Sequence, residues 1–576
     1  MTTLIQLFKG KGSREDLSGY SFLHTKDWLP KTFEALVVDK MKDELVKKMS
    51  KFQIAKAGHR SQEHLFVVNS IIALYEMLDI PLLLQFFDIQ KFFDRESLRD
   101  GMFVVNKAGI RGKLYRLWAK LNEKTRIRVI TGMGPTEYEE CGEVLGQGSH
   151  GGAIISAANL DDGVSDMFEN SRDEVSYGKI RINPLLYQDD VLTLSMSATG
   201  AQNACIRIEK VMESKLLDVH PDKTCHVILA NKSKRKLLNQ ELQDNPLLYK
   251  GKEIKEKYRE KWLGDLKHQD GLAESVNATI RERSGKVKMS IFELIAILED
   301  SRMQVIGGLI GVLEVYEMAI IPSLMNNCGT WTEISEQGIE ELEGLQNLFF
   351  RMLFQVPTST PKSFFCWETK TLTMRLRIWK EKLNLYKYLQ HMPEETLANE
   401  IFMEQKRCGF PGLVKECEEF AKVLGIENQL TDIKTSKAEF KRIVKTAINM
   451  ENEKVLRNQL KNYSKVKEWA DEDYGIKDYL KNMTLEDSRM YFRIRCNMTK
   501  FAFNFRNMKE YSDTLWWCSS CEKAVDTFAH SKWCIAHSDL RQGKDLSDEK
   551  DLVKYITEVL LRREKDKLQK LKRGNA

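Results

Sequence analysis

A pair of short apolar segments joined by acidic residues sets the tightest constraint on the fold of this chain. Residues 184–187 and 191–195 each have the length and composition of a β-strand, and residues 188–190 between them read Gln-Asp-Asp. Two short apolar runs joined by a tight polar turn predict a β-hairpin. Both aspartates are then expected at or beside the tip of the hairpin.

A third acidic residue, Asp88, stands near the end of another apolar run of strand length at residues 81–89. If these strands are neighbours in one sheet, Asp88, Asp189 and Asp190 converge at one edge. Clustered carboxylates repel one another unless cations neutralise them, and Mg²⁺ prefers such oxygen ligands. Two ions held this way could support phosphoryl transfer. The aspartate pair alone leaves a structural role open, because aspartate is common in turns.

The rest of the chain divides into a mixed region and a helical region. Residues 1–265 mix strand-like and helix-like patterns, including helical spacing over residues 61–78. Residues 268–510 read as almost continuous amphipathic helix, and only 11 prolines in 576 residues favour long helices. An α+β module is therefore expected before an all-α one. The sequence Pro-Thr-Ser-Thr-Pro at residues 357–361 predicts a linker.

Charge and cysteine content limit the possible partners and compartments. The chain has 89 basic and 83 acidic residues and a formal net charge of +6, so nucleic-acid binding would require basic residues clustered on one surface. Eleven cysteines without a secretory signal predict an intracellular location, in the cytoplasm or the nucleus. The longest apolar stretch, residues 305–324, contains Glu314 and Glu317. Its helical spacing predicts a core helix and no membrane span.

Seven short motifs occur in one order between residues 7 and 264. They are Leu-Phe-Lys-Gly-Lys-Gly at 7–12, Gly-His-Arg-Ser at 58–61, Phe-Asp-Ile-Gln-Lys-Phe-Phe-Asp at 87–94, Gly-Gln-Gly-Ser at 146–149, Tyr-Gln-Asp-Asp at 187–190, Pro-Asp-Lys-Thr at 221–224 and Trp-Leu-Gly at 262–264. The series resembles the reverse transcriptases of non-long-terminal-repeat (LINE-type) retrotransposons. That resemblance implies an α+β right-hand polymerase with fingers, palm and thumb, followed by an all-α connector and a small zinc knuckle. It also implies that deoxynucleotides extend a DNA primer on an RNA template.

The resemblance assigns catalytic roles to four residues. Asp88, Asp189 and Asp190 would bind two Mg²⁺ ions. Lys223 would donate a proton to the leaving pyrophosphate or stabilise its charge, although a solvent-facing lysine is the alternative.

The same resemblance assigns residues to the nucleotide and the primer. The nucleotide contacts would be Lys9, Lys11, Phe93, Gln147 and Gly148, and the primer grip would be Trp262, Leu263 and Gly264. Phe93 would collide with a ribose 2′-hydroxyl and so select deoxynucleotides, unless it is a core aromatic. The two lysines have a solvated loop as their alternative.

Departures from the family pattern define the rival interpretations. Ser21 stands where the family has an arginine that grips the triphosphate, and a hydroxyl cannot replace a planar bidentate cation. His59 occupies a usually apolar place before Arg60, and His150 interrupts the stretch after Gln147. A catalytically weakened, nucleic-acid-binding relic of such an element is therefore the alternative. An RNA-dependent RNA polymerase is disfavoured by Phe93. Compared with the family pattern, the chain begins inside the first fingers motif, so an N-terminally truncated reading frame is expected, without an endonuclease.

Four candidate metal ligands lie near the end of the chain. Cys518, Cys521, His530 and Cys534 have the spacing Cys-x2-Cys-x8-His-x3-Cys. Four such ligands close a tetrahedral zinc site and leave no open position, which favours a structural zinc ion. His537 is a rival fourth ligand, and buried cysteines without a metal are the alternative.

Aromatic and basic residues surround the predicted knuckle. Trp516, Trp517 and Trp533 could stack on a nucleic-acid template or cover the core of the knuckle. Ser547 is a candidate N-cap for an amphipathic helix that ends in a basic run, which would contact phosphate or solvent.

The predicted regions are therefore fingers and palm at 1–265, thumb at 266–356, helical connector at 357–509, zinc knuckle at 510–540, and amphipathic helix with basic tail at 541–576.

Overall fold

The computed structural model describes the chain in two compact units. The described residues are 2–8, 20–123, 126–131, 133–140, 145, 149–169, 175–182, 184–300, 308–501, 504 and 516–574. Unit 1 comprises Met1–Ala278, Gly329–Glu333 and Leu385–Glu419, and unit 2 comprises Thr279–Cys328, Ile334–Asn384 and Phe420–Ala576.

The described strands lie in unit 1, where they alternate with the first nine helices of the described part of the chain. The strands are β1 (Thr2–Phe8), β2 (Tyr20–Lys26), β3 (Leu82–Asp88), β4 (Arg126–Thr131), β5 (Gly134–Pro135), β6 (Glu139–Glu140), β7 (Val175–Tyr177), β8 (Ile180–Ile182), β9 (Leu185–Tyr187), β10 (Asp190–Ser195), β11 (Cys225–Leu229), β12 (Leu248–Tyr249), β13 (Lys252–Glu253), β14 (Lys255–Glu256), β15 (Arg259–Trp262) and β16 (Asp265–His268). The helices are α1 (Trp28–Asp39), α2 (Lys42–Lys48), α3 (Ser61–Met77), α4 (Phe92–Arg95), α5 (Leu98–Lys107), α6 (Gly112–Asn122), α7 (Gly152–Phe168), α8 (Ala198–Ser214) and α9 (Lys232–Asp244).

A five-stranded sheet in the order β14-β11-β3-β10-β9 forms the centre of unit 1. Strand β3 is antiparallel to both β10 and β11, and β9 is antiparallel to β10. Every residue of β3 before Asp88 is buried, as expected for an apolar run at the centre of a sheet. Helices α7 and α8 contribute to the core that contains Leu83, Phe87 and Val191. The strands predicted at 81–89, 184–187 and 191–195 are confirmed.

A second sheet contains β1, β2, β4 and β5 in the order β2-β1-β4-β5, with β6 paired to β4. Strands β1 and β2 are antiparallel, and Ser21 pairs with Leu7. The helix predicted at 61–78 is confirmed as α3.

Long helices make up most of the chain after β16, as predicted. They are α10 (Leu272–Asp300), α11 (Gly308–Val315), α12 (Ile321–Met325), α13 (Glu336–Phe354), α14 (Lys362–Thr369), α15 (Met374–Gln390), α16 (Leu397–Cys408), α17 (Leu413–Leu424), α18 (Glu427–Thr431), α19 (Lys437–Lys461), α20 (Asp478–Asn482), α21 (Leu485–Arg495), α22 (Phe528–Trp533), α23 (Ser538–Arg541) and α24 (Glu549–Gly574).

The predicted linker at residues 357–361 lies inside unit 2 and joins α13 to α14. These helices pack together, and the rings of Phe354 and Phe365 stack with their centroids 6.2 Å apart. Residues 385–419, within the predicted connector, belong to unit 1. The divisions between the units fall within α10, α15 and α17 and on either side of residues 329–333, and not at the predicted linker.

One described segment, Gly308–Met325, is long and apolar enough to cross a membrane, with a mean hydropathy of 1.5 and half of it buried. It combines α11, a π-helical turn and α12. A single helix of this kind is weak evidence for a membrane span, because core helices have the same properties. Leu309 and Leu313 of this segment are buried. Glu317 forms an ion pair with Arg377 of α15.

Candidate functional site

Asp88 and Asp190 face each other on neighbouring strands. Asp88 is the last residue of β3, Asp190 is the first residue of β10, and the two are directly paired in the antiparallel register. Side chains paired in this way project to the same face, with their Cβ atoms about 5 Å apart. Asp189 precedes Asp190 in the hairpin turn. The structure therefore brings the three predicted carboxylates together at one edge of the sheet.

Two of the three crowded carboxylates, Asp189 and Asp190, have raised pKa values. The pKa of Asp190 is raised from 3.8 to about 6, first because the surrounding protein limits its hydration and then because Asp189 and Asp88 repel its charge. Limited hydration also raises the pKa of Asp189, and Asp88 adds to the effect. Part of the Asp190 side chain still reaches solvent. A solvent-accessible cluster of carboxylates with excess negative charge has the oxygen ligands that Mg²⁺ takes.

A turn at residues 220–224 brings Lys223 to this cluster. The N–H of His220 donates to the carbonyl of Asp88 at 2.7 Å, and the N–H of Thr224 donates to the carbonyl of His220 at 3.0 Å. Lys223 Nζ lies 3.0 Å from Asp88 Oδ2. The two side chains are 61% and 41% exposed, so this ion pair contributes at most about 1 kcal/mol. The lysine is thus not simply solvent-facing, and little energy is needed to release it.

Phe93 lies in α4, five residues after Asp88. Its half-buried ring meets Phe92 edge to face with a centroid distance of 5.3 Å, and it packs against the core of the sheet. The partial burial is compatible with either predicted role, the steric filter or the core aromatic.

Several predicted nucleotide contacts lie outside the described residues. These are Lys9, Lys11, Gln147 and Gly148. The backbone of Ser21 is described, as part of β2, but its side chain is not.

The predicted primer-grip motif forms a tight hairpin between β15 and β16. Leu263 and Gly264 have φ angles of 46° and 94°, and two central residues with positive φ are typical of a type I′ turn. Trp262 is buried, and its ring centroid lies 6.2 Å from that of Phe86 in β3. The turn is therefore anchored on the sheet that carries the carboxylates.

The segment at residues 52–54 contacts the hairpin and was not predicted. The N–H of Leu186 donates to the carbonyl of Phe52 at 2.9 Å, and the N–H of Ile54 donates to the carbonyl of Leu186 at 3.2 Å. His64 Nε2 lies 2.8 Å from the Phe52 carbonyl and 3.1 Å from that of Leu186. Burial lowers the pKa of His64 to about 4, so its neutral ring donates to both. Three residues are too few to give a strand signal in the sequence.

The four predicted zinc ligands converge in unit 2. The ligand atoms of Cys518, Cys521, His530 and Cys534 all lie within 4.8 Å of one another. The Sγ atoms of Cys518 and Cys534 are 4.0 Å apart, and Cys521 Sγ is 3.3 Å from His530 Nε2. Tetrahedral zinc with ordinary bond lengths requires ligand separations of about 3.8 and about 3.6 Å. This group could therefore bind a zinc ion.

Hydrogen bonds and a short helix position the candidate zinc ligands. The N–H of Cys518 donates to the carbonyl of Ala524 at 2.9 Å and closes the loop that carries Cys521. Thr527 caps α22 by accepting the N–H of His530 at 3.0 Å. Cys534 follows one turn later, at the end of that helix.

The pKa shifts of two of the ligands, His530 and Cys521, favour the forms that bind a metal, whereas burial raises the pKa of Cys534 to about 11. Burial and the nearby Arg563 lower the pKa of His530 and favour the neutral ring. Burial opposes ionisation of Cys521, but backbone N–H groups and the neighbouring thiols together lower its pKa. The rival ligand, His537, is buried with its Nε2 3.1 Å from Ser520 Oγ. It lies outside the four-residue group, whose fourth member is Cys534.

Helix α24 packs against the knuckle. Ser520 Oγ donates to Asp566 at 2.7 Å, and Arg563 is paired with Asp526. Trp517 and Trp533 are 52% and 81% exposed, so these two rings do not serve as the core of the knuckle.

Comparisons with known proteins give matches to solved structures alone. No protein-family model matches the chain, and no curated protein matches it. Telomerase from Candida albicans in complex with a TWJ fragment of telomeric RNA has a TM-score of 0.36 at 11% identity, over 82% of this chain and 64% of that one. Telomerase from Candida tropicalis with a TWJ fragment has a TM-score of 0.36 at 11% identity, over 75% and 63%.

Apo telomerase from Candida tropicalis has a TM-score of 0.34 at 10% identity, over 74% of this chain and 67% of that one. The chain spans about half to two thirds of the length of the telomerases it matches. The structure is thus similar to telomerase at low identity and low score, and these comparisons do not single out a LINE element.

Proposed function

We propose that this chain is an RNA-directed DNA polymerase, the reverse transcriptase of a non-LTR (LINE-type) retrotransposon. The supporting observation is the direct pairing of Asp88 with Asp190, beside Asp189, at the place that the ordered motifs assign to the catalytic carboxylates. The proposed substrates are deoxynucleoside triphosphates, and the proposed partners are an RNA template and a DNA primer.

The three carboxylates would hold two Mg²⁺ ions, which would activate the primer hydroxyl and stabilise the charge on the leaving pyrophosphate. The protein itself would fix the spacing of Asp88 and Asp190, because the two residues are on paired strands. Lys223 would leave its weak ion pair with Asp88 and present a positive charge, or a proton, to the leaving group.

Other residues would select and orient the substrates. Phe93 would exclude a ribose 2′-hydroxyl, and the hairpin turn at residues 262–264 would support the primer end. The proposed triphosphate and base contacts are Lys9, Lys11, Gln147 and Gly148.

The proposed domains follow the same assignment: fingers and palm at 1–265, thumb at 266–356, connector at 357–509, knuckle at 510–540 and basic tail at 541–576. In the knuckle, a structural zinc ion would be bound by the Cys3His group, and the exposed rings of Trp517 and Trp533 would stack on the bases of a template.

Primer extension on a poly(rA)/oligo(dT) duplex with dTTP and Mg²⁺ tests this proposal. We expect incorporation by the parent chain and none by an Asp189→Ala, Asp190→Ala double variant. Asp244→Ala, which removes an exposed aspartate at the end of α9, is the matched control and should retain activity. Duplex binding without incorporation by the parent chain would instead support the catalytically weakened relic. Efficient use of ribonucleotides would contradict the role of Phe93.

A further inference from the structure

A buried glutamine holds the backbone next to the catalytic aspartates. Gln53 is fully buried, at 0% exposure. Its Oε1 accepts the N–H of Gln188 at 3.3 Å, and its Nε2 donates to the carbonyl of Gln188 at 3.4 Å. Oε1 also accepts the N–H of Ala55 at 2.9 Å. Because two N–H donors point at the same atom, that atom must be the amide oxygen, and the orientation of the side chain is fixed.

Gln188, to which Gln53 is hydrogen-bonded, has an unfavourable backbone conformation. Gln188 has a φ angle of 60°, and a non-glycine residue in this region is strained, so it persists only where its surroundings enforce it. Besides Gln53, the turn is held by Gln188 Nε2, which donates to the carbonyl of Ala153 at 2.7 Å. Since Asp189 follows directly, any relaxation of the Gln188 peptide would move the Asp189 carboxylate.

Gln53 is itself rigidly placed. The segment that carries it pairs with β9 on both sides, through the Phe52 carbonyl and the Ile54 N–H. The neutral ring of His64, in the first turn of α3, ties the carbonyls of Phe52 and Leu186 together. Gln53 therefore connects α3 and its preceding loop to the tip of the hairpin.

We propose that Gln53 is a positioning residue for Asp189. By fixing the peptide at Gln188, it sets the distance between the Asp189 and Asp88 carboxylates and so the affinity of their cluster for divalent cations. The inference rests on the proposed function of these carboxylates. Loss of a group that orients a metal ligand typically weakens metal binding about 10- to 100-fold.

Mn²⁺ binding, followed by the electron paramagnetic resonance of the free ion, tests this without relying on activity. The zinc-loaded full chain is compared with Gln53→Leu, which removes all three hydrogen bonds of the Gln53 side chain at similar volume. We expect Mn²⁺ to bind at least about tenfold more weakly to Gln53→Leu. The kcat for dTTP incorporation should fall while its KM changes little.

A matched control separates positioning from general stability. Gln405 is also buried in unit 1, where it donates to Tyr177 at 3.2 Å and accepts the N–H of Val414 at 3.0 Å. Gln405→Leu should lower the melting temperature without changing Mn²⁺ binding. Gln188→Gly added to Gln53→Leu should restore part of the Mn²⁺ affinity, because glycine adopts positive φ at little cost.

The outcomes distinguish the two proposals. If the Asp189→Ala, Asp190→Ala variant binds Mn²⁺ as the parent does, the proposed function of the cluster fails. If that variant loses Mn²⁺ but Gln53→Leu binds it like the parent, or if Gln405→Leu weakens Mn²⁺ equally, the positioning role is wrong. Gln53→Asn, a milder change, replaces Gln53→Leu if the latter does not fold. If neither folds, Gln53 supports the fold as a whole and the inference is overturned.

Discussion

Replacing Glu96 by glutamine should remove a pH-dependent cost to the stability of unit 1. Glu96 follows α4 and is 1% exposed. Its carboxyl group accepts a hydrogen bond from Asn159 Nδ2 of α7 at 3.0 Å. Burial raises the pKa of Glu96 from 4.5 to about 8, and the hydrogen bond and the charge of Lys215 offset this only in part.

The size of the effect follows from the two pKa values. The folded state keeps Glu96 protonated at pH values where the unfolded chain has already ionised it. The stability that protonated Glu96 gives the folded state is therefore fully present below pH 4.5. It is lost as the pH rises to about 8. The difference corresponds to about 5 kcal/mol in total and to about 3 kcal/mol between pH 5.5 and pH 8.5. Glutamine is uncharged and keeps an oxygen for Asn159.

Urea unfolding of the parent chain and Glu96→Gln at pH 5.5 and pH 8.5 measures this. The advantage of the variant in unfolding free energy should grow by about 3 kcal/mol at the higher pH. Glu336→Gln is the control: Arg375 lowers the pKa of that exposed carboxyl group, so its removal gives no advantage that grows with pH. An advantage of Glu96→Gln that is equal at both pH values would refute the reasoning.

Three further substitutions test the proposed role of Lys223 and the predicted knuckle. Lys223→Met should tighten Mn²⁺ binding no more than about fivefold, because an exposed ion pair is weak. The same substitution should slow nucleotide incorporation about 10²- to 10⁴-fold, and an unchanged rate would exclude the proposed role. Cys521→Ser should abolish zinc binding in native mass spectrometry and expose residues 516–574 to protease, whereas a parent chain without zinc would contradict the site. Trp533→Ala should leave the melting temperature unchanged and weaken single-stranded RNA binding by about 1–3 kcal/mol in fluorescence anisotropy; unchanged binding would remove the stacking role.

Features with a local signal were predictable from the sequence. The hairpin at 184–195 combines apolar runs with a turn of two or three polar residues, and both signals lie within a dozen positions. The candidate zinc-binding group was recognisable because a tetrahedral ion constrains the spacing of its ligands. That the strands of Asp88 and Asp190 are neighbours could be expected only from the resemblance, since strand order is not a local property, and their register came from the structure.

Features that depend on distant contacts were not predictable. Gln53 contacts a residue 135 positions away, and nothing in its own neighbourhood marks it. The residue that caps the N-terminus of α24 also differs from the prediction. Ser547 was expected to cap α24, but Asp548 accepts the N–H groups of Lys550 and Asp551 at 3.0 Å each. Ser547 donates instead to Asp545 at 2.6 Å.

Single-nucleotide incorporation on a defined RNA template is the most direct test of the central claim. A DNA primer is annealed to an RNA strand of mixed sequence, and each deoxynucleotide is supplied alone with Mg²⁺. The account predicts that the parent chain adds only the complementary deoxynucleotide to the primer 3′ end, and that the Asp189→Ala, Asp190→Ala variant adds none. Addition that ignores the template, or addition that persists in the variant, would contradict the assignment of these carboxylates to RNA-directed DNA synthesis.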